Sequence, residues 1–107
     1  MSIEDYSVID GTYELVDGVY NVKGTIRLNR FVKKLPVKFG NVSGHFDCSR
    51  NNLTTLEGAP KKVGGNFWCN DNKFTSLKRA PNSVGGDFYC SNNYTLTTLE
   101  GAPKKVG

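Results

Sequence analysis

Short alternating stretches recur along the second half of the chain at a fixed interval. Phe46-Asp47-Cys48, Phe67-Trp68-Cys69 and Phe88-Tyr89-Cys90 each set two apolar side chains on either side of a variable one, behind a Ser-Gly or Gly-Gly pair. Alternation of this kind, bounded by Gly and Asn, predicts short half-buried strands. Behind each strand come an Asn (Asn51, Asn72, Asn93), an apolar residue (Leu53, Phe74, Leu96) and a Leu (Leu56, Leu77, Leu99). A column of Asn can hold successive turns together through its side-chain amide where no strand does. An Ala-Pro pair follows at 59–60, 80–81 and 102–103. The residue before Pro is pushed out of the helical region and Pro fixes its own φ, so this segment predicts an extended return. No stretch has a helical period.

Aligned on their prolines, the units cover residues 42–62, 63–83 and 84–105, a period of 21 and then 22, with the extra residue near Tyr94 and Thr95. The phrase "TTLEGAPKKVG" stands unchanged at 54–64 and 97–107, with a diverged version, "TSLKRAPNSVGG", between them at 75–86. A fixed period means that each unit buries its apolar face against its neighbours, which predicts a repeat solenoid. A degenerate unit precedes these at 22–41. It keeps Ile26 and Leu28 at the alternating positions and has Phe31 and Val32 where Asn is expected. Residues 1–21 are expected to form an N-terminal cap, because "YELVDGVYNV" has apolar-rich arms around Asp17-Gly18, a pair that favours a tight hairpin turn. After Val106 the pattern calls for another strand. Residues 42–107 are therefore expected to end without a C-terminal cap, and a homodimer through that end is one expected consequence.

The order strand, Asn, spaced Leu resembles the leucine-rich-repeat pattern LxxLxLxxNxLxxL, met here as "GGNFWCNDNKFTSL" with Phe and Cys in place of two leucines. The units are similar to the short bacterial form of that repeat, and more closely to the "LTSLEGAPKKVGGDFYCSNN" repeats of tailed bacteriophages, over about residues 22–107. The resemblance implies short parallel strands, extended proline-containing returns and little or no helix. It also implies a phage-encoded binding module in the host cytoplasm, its partner a host or viral protein such as a defence or regulatory factor.

Composition adds limits. With 107 residues, 37% hydrophobic and 22% charged, the chain suits one soluble domain with a modest core. No apolar run approaches the roughly 18 residues of a membrane helix, and the start lacks a basic, apolar leader, so a cytoplasmic protein with no membrane contact is expected. Cys48, Cys69 and Cys90 recur at one repeat position beside inward Phe residues. That spacing predicts a column of buried thiols, with no disulfide, metal or cofactor. His45 has Asp47 two residues on, but no nucleophile is placed with them, and the Gly-Gly pairs recur with the repeat. The expectation is a protein that is not an enzyme.

The surface carries the remaining information. With Phe and Cys inward, three columns face out: Thr25, His45, Asn66, Asp87; Arg27, Asp47, Trp68, Tyr89; and Asn29, Ser49, Asn70, Ser91. Inward positions barely change between units while these vary. Adjacent aromatics flanked by polar groups predict a protein-binding face of Arg27, His45, Asp47, Asn66, Trp68, Asp87 and Tyr89 on the concave side, although aromatics also simply suit strands. The alternative rests on the net charge of +4 and on Lys61, Lys62, Lys78, Arg79, Lys104 and Lys105, around the returns. These could meet an anionic ligand or nucleic acid, though Glu57 and Glu100 share their segments, and a solvated edge explains them as well.

Overall fold

A computed structural model describes residues 3–5, 7–29, 33–35 and 37–106. Phe31 and Val32, expected where the Asn of the degenerate unit would stand, lie outside the described residues, as does Gly107. The chain winds a parallel β-solenoid of about four turns. A 3-10 turn at Ile3–Asp5 is the one helical element among the described residues, and no helix there is long and apolar enough to cross a membrane.

The solenoid starts from a hairpin. Strands β1 (Ser7–Val16) and β2 (Val19–Leu28) pair antiparallel from Ser7↔Leu28 to Val16↔Val19. Asp17 and Gly18 close the turn with φ of 51° and 78°, the left-handed pair that a two-residue turn between twisted strands requires. β2 then serves two parallel ladders. Its first half pairs with β3 (Lys38–Val42), followed by β5 (Lys62–Val63), β7 (Ser83–Val84) and β9 (Lys105–Val106). Its second half pairs with β4 (Phe46–Asp47), followed by β6 (Phe67–Trp68) and β8 (Phe88–Tyr89).

Each turn thus carries two strands, where the alternation in the sequence shows only the second. The first is a Lys-Val or Ser-Val pair, too short to alternate. Lys62 and Lys105, expected in the returns, are strand residues for that reason. Between the ladders the chain turns a corner, where Gly44, Gly65 and Gly86 each donate an N–H to the carbonyl of the glycine one turn earlier, at 2.8, 2.7 and 2.8 Å. The hairpin must turn the same corner. Gly24 in β2 and Gly11 opposite it in β1 have φ of 130° and 134°, and a Cβ on either would lie 2.0 Å from a carbonyl oxygen of the facing strand.

The core runs along the solenoid axis. Phe46, Phe67 and Phe88 stack at ring separations of 5.3 and 5.4 Å with planes 11° and 12° apart, and Phe39 meets Phe46 edge-on at 5.1 Å. Leu53, Leu56, Phe74 and Leu77 are buried beside them, with Cys48, Cys69, Pro60 and Pro81. Burying each Phe contributes about 2–3 kcal/mol. In the last turn burial falls away: Phe88, Cys90 and Leu96 are half-buried, and Leu99 and Val106 are 67% and 51% exposed.

The buried asparagines join the turns. Asn72 Nδ2 reaches the carbonyls of Cys69 in its own turn and Cys48 in the turn before, both at 3.0 Å, while its Oδ1 accepts the Leu53 N–H at 3.1 Å. Asn93 repeats the pattern one turn on, with Cys90 and Cys69 at 3.0 and 3.1 Å and the Phe74 N–H at 3.4 Å. Just before each Asn stands a residue in the left-handed region, Arg50, Asp71 and Asn92, with φ of 57°, 58° and 57°. The extra residue of the third unit is absorbed after Asn93: Thr95 Oγ1 bonds the Phe74 carbonyl 21 residues back, whereas the Thr97 N–H bonds Thr75 at 22. Tyr94, 90% exposed, projects from that loop.

Replacing Asn72 with Ala leaves the Leu53 N–H unpaired in the core and takes one of two donors from the Cys48 and Cys69 carbonyls, which keep Asn51 and Asn93. The expected loss is about 2 kcal/mol, read as a fall in the urea midpoint with little change in slope.

Candidate functional site

Successive side chains of a strand point to opposite faces. With Phe46 and Phe67 fully buried, their strand neighbours Asp47 and Trp68 turn outward, and the register sets Arg27, Asp47, Trp68 and Tyr89 in one row across four turns. Trp68 stacks on Tyr89 with ring centroids 5.9 Å apart and planes at 12°, and the His45 ring leans on Trp68 at 5.2 Å and 45°. Tyr89 is 41% exposed and Trp68 half-buried. The Tyr89 hydroxyl donates to Asp87 Oδ2 at 3.0 Å, a bond that, with the carboxylate charge, pushes the phenol pKa up from its ordinary value.

Beside the row lies a groove of about 460 Å³. Arg27, Asp47 and Trp68 line it together with Asn29, Ser49 and Asn70 of the next outward column. His45, Asn66, Asp87 and Tyr89 do not line it. Asp47 is oriented by Ser49, whose N–H donates to Oδ1 at 3.0 Å and whose hydroxyl donates to the same oxygen, so the carboxylate is bound to Ser49 and not to His45. Arg50 adds a cation to the groove. Its only sequence signal is its place before the buried Asn, shared by Asp71 and Asn92.

The corner column behaves differently. Thr25 Oγ1 accepts the His45 N–H at 3.1 Å, His45 Nδ1 accepts the Asn66 N–H at 2.7 Å, and Asn66 Oδ1 accepts the Asp87 N–H at 2.7 Å. Each side chain holds the backbone of the next turn. Because Nδ1 accepts here, the neutral His45 ring carries its proton on Nε2. The acceptors of His45 and Asn66 are thus committed to the fold, and a ligand meets only the rest of these side chains.

The cysteines are core. Cys48 and Cys69 are 0% exposed, and Cys90 is half-buried. Burial, then the neighbouring Cys69 thiol and the Asp47 carboxylate, push the Cys48 pKa well above the ordinary 9.0. Burial and Cys90 do the same for Cys69. Both thiols are held protonated, in the form that is neither nucleophile nor metal ligand. Among the described residues no group of three or more His, Cys, Asp or Glu could hold a metal ion.

The six cations singled out from the sequence do not form one set. Lys61 and Arg79 line a cleft on the return side, Lys62 and Lys105 are strand residues of the first ladder beside a separate hollow, and Lys104 borders both. Lys78 lies 3.5 Å from Glu100 in a pair exposed on both sides, which contributes little to stability. Comparison with family models, with curated proteins and with solved structures finds no match in any of the three.

Two outcomes follow from this geometry. His45→Ala should cost about 1–2 kcal/mol by orphaning the Asn66 N–H, whereas His45→Asn, which supplies an acceptor as Asn66 does one turn later, should cost under half of that; chemical denaturation of both variants checks the difference. A raised thiol pKa favours the fold fully below the unfolded value and loses that contribution as pH climbs above it. Stability should therefore fall above pH 9.0, by up to about 1.4 kcal/mol per pH unit for each of Cys48 and Cys69, and that part of the slope should vanish in the variant with both replaced by Ala.

Proposed function

We propose that the protein is a non-catalytic interaction module that binds another protein through the outer face of the second ladder. The observation that carries this reading is the stacked Trp68–Tyr89 pair, presented at the surface beside a polar groove. Aromatic anchors that are already fixed by packing lose little freedom on binding, so their contact area converts to affinity efficiently. Arg27 and Asp47, next in the row, supply opposite charges that set the orientation of a partner. Across the turns the inward positions read Ile and Leu and then three times Phe and Cys, while the outward row reads Arg, Asp, Trp, Tyr. That contrast separates scaffold from contact surface. The resemblance of the repeats to those of tailed bacteriophages directs the search for the partner to a host or viral protein in the host cytoplasm, a defence or regulatory factor among them.

The test uses the immobilised chain and a variant carrying Trp68→Ala and Tyr89→Ala, with a bacterial lysate as the source. A protein retained by the first is purified and titrated against both. The expected result is a loss of at least 2 kcal/mol, about 30-fold in Kd, in the variant, with its thermal unfolding little changed. Equal affinity for the two chains would remove this face from the assignment.

A further inference from the structure

The return side of the solenoid holds a cleft separate from the outer face of the second ladder. This cleft, of about 590 Å³, runs past the Ala-Pro returns, with Ala80 and Ala102 accessible in its floor above the buried Ala59, Pro60 and Pro81. Among the described residues Lys38, Lys61, Arg79 and Lys104 line it, against the single carboxylate of Glu57. All four cations are exposed, and none of them makes an ion pair within the described residues. Their residues belong to four successive turns. At a strand-to-strand spacing of about 4.8 Å the cleft extends roughly 14 Å along the axis.

Arg79 marks the site in a second way. It occupies the left-handed region, with φ of 72°, at the repeat position where the turns before and after have Gly58 and Gly101, both with φ of 91°. Glycine adopts that conformation freely, whereas a side-chain-bearing residue is strained there. The middle turn has a strained arginine where glycine would serve the fold better. Strain retained against an available alternative points to a role for the side chain itself.

The geometry points to a binding site for an extended acidic peptide, its apolar side chains against Ala80 and Ala102 and its carboxylates at the Lys38, Lys61, Arg79 and Lys104 rim. An extended chain rises about 3.3 Å per residue, so roughly four residues span the cleft, and its alternating side chains divide between floor and rim. Single-stranded nucleic acid fits less well. Such ligands are held by cations together with aromatic side chains on which bases stack. Phe39, the one aromatic among the described residues that line the cleft, is 3% exposed, and Trp68 and Tyr89 lie outside it.

The probe is a fluorescein-labelled hexapeptide of alternating glutamate and valine, titrated by anisotropy beside its glutamine-valine counterpart and a single-stranded dodecathymidylate. The expected result is binding of the glutamate peptide that weakens as salt is raised and falls about tenfold in the chain carrying Lys61→Gln and Lys104→Gln. Lys73→Gln, which removes a charge outside the cleft, should leave the affinity unchanged. Arg79→Gly separates binding from folding: it should weaken the peptide about fivefold while raising Tm by about 4 °C. Absence of peptide binding, equal binding of the glutamine peptide, or insensitivity to the Lys61 and Lys104 changes would overturn the proposal. Tighter, cation-dependent binding of the oligonucleotide would overturn it in favour of a phosphodiester ligand.

Discussion

Buried backbone must be hydrogen-bonded, and in this chain regular strands do only part of that work. After the hairpin and β3, each turn contributes two strands of two residues, which leaves most of its length outside any ladder. The asparagines fill that gap. One primary amide offers two donors and an acceptor, so a single buried side chain closes its own turn and the one before it. Asn72 and Asn93 each do both. The Leu and Phe columns can pack without helix or long strand because this amide column fixes the path between them.

At the corners the same constraint is met by less specific means. Thr25, His45 and Asn66 differ in size and chemistry, yet each supplies one acceptor to the backbone of the next turn. The fold reads one atom and is indifferent to the rest. Here the structure tolerates variety facing solvent while the axis stays constant, and a repeat scaffold acquires a patterned surface in this way. On the opposite side the returns show the converse: Arg79 breaks a position that glycine otherwise occupies, so variety there opposes the backbone.

The phenylalanine, cysteine, asparagine and proline columns were legible in the sequence because each marks one repeat position and recurs at 21 residues. From them came the solenoid and the extended returns, whereas the hairpin was read from Asp17-Gly18 between apolar-rich arms and the parallel strands were implied by the repeat resemblance. The first ladder was not legible, since a Lys-Val pair before Gly-Gly has no alternation to detect. The outward row Arg27, Asp47, Trp68, Tyr89 could be read off once Phe and Cys were set inward. The second use of His45 and Asn66, as backbone acceptors, could not, because it depends on which way a corner side chain folds back. The lysine pairs divide for a physical reason. Neighbours in an extended chain point to opposite sides, so Lys61 joins Arg79 and Lys104 across the turns and parts from Lys62 beside it.

β2 alone belongs to both ladders, so the two stacks of strands have a common origin. Every later rung pairs with one about 20 residues behind it, and each closes a loop of nearly constant length on an edge already laid down. The hairpin therefore acts as a template, copied in turn by each coil that rests on it. It also precedes those coils in the chain, so a growing polypeptide has its pattern before the parts that must conform to it. Fidelity is the other side of this arrangement. A one-residue slip in β2 would pass from coil to coil along the molecule, turning the phenylalanines out to water and the variable row in to the axis.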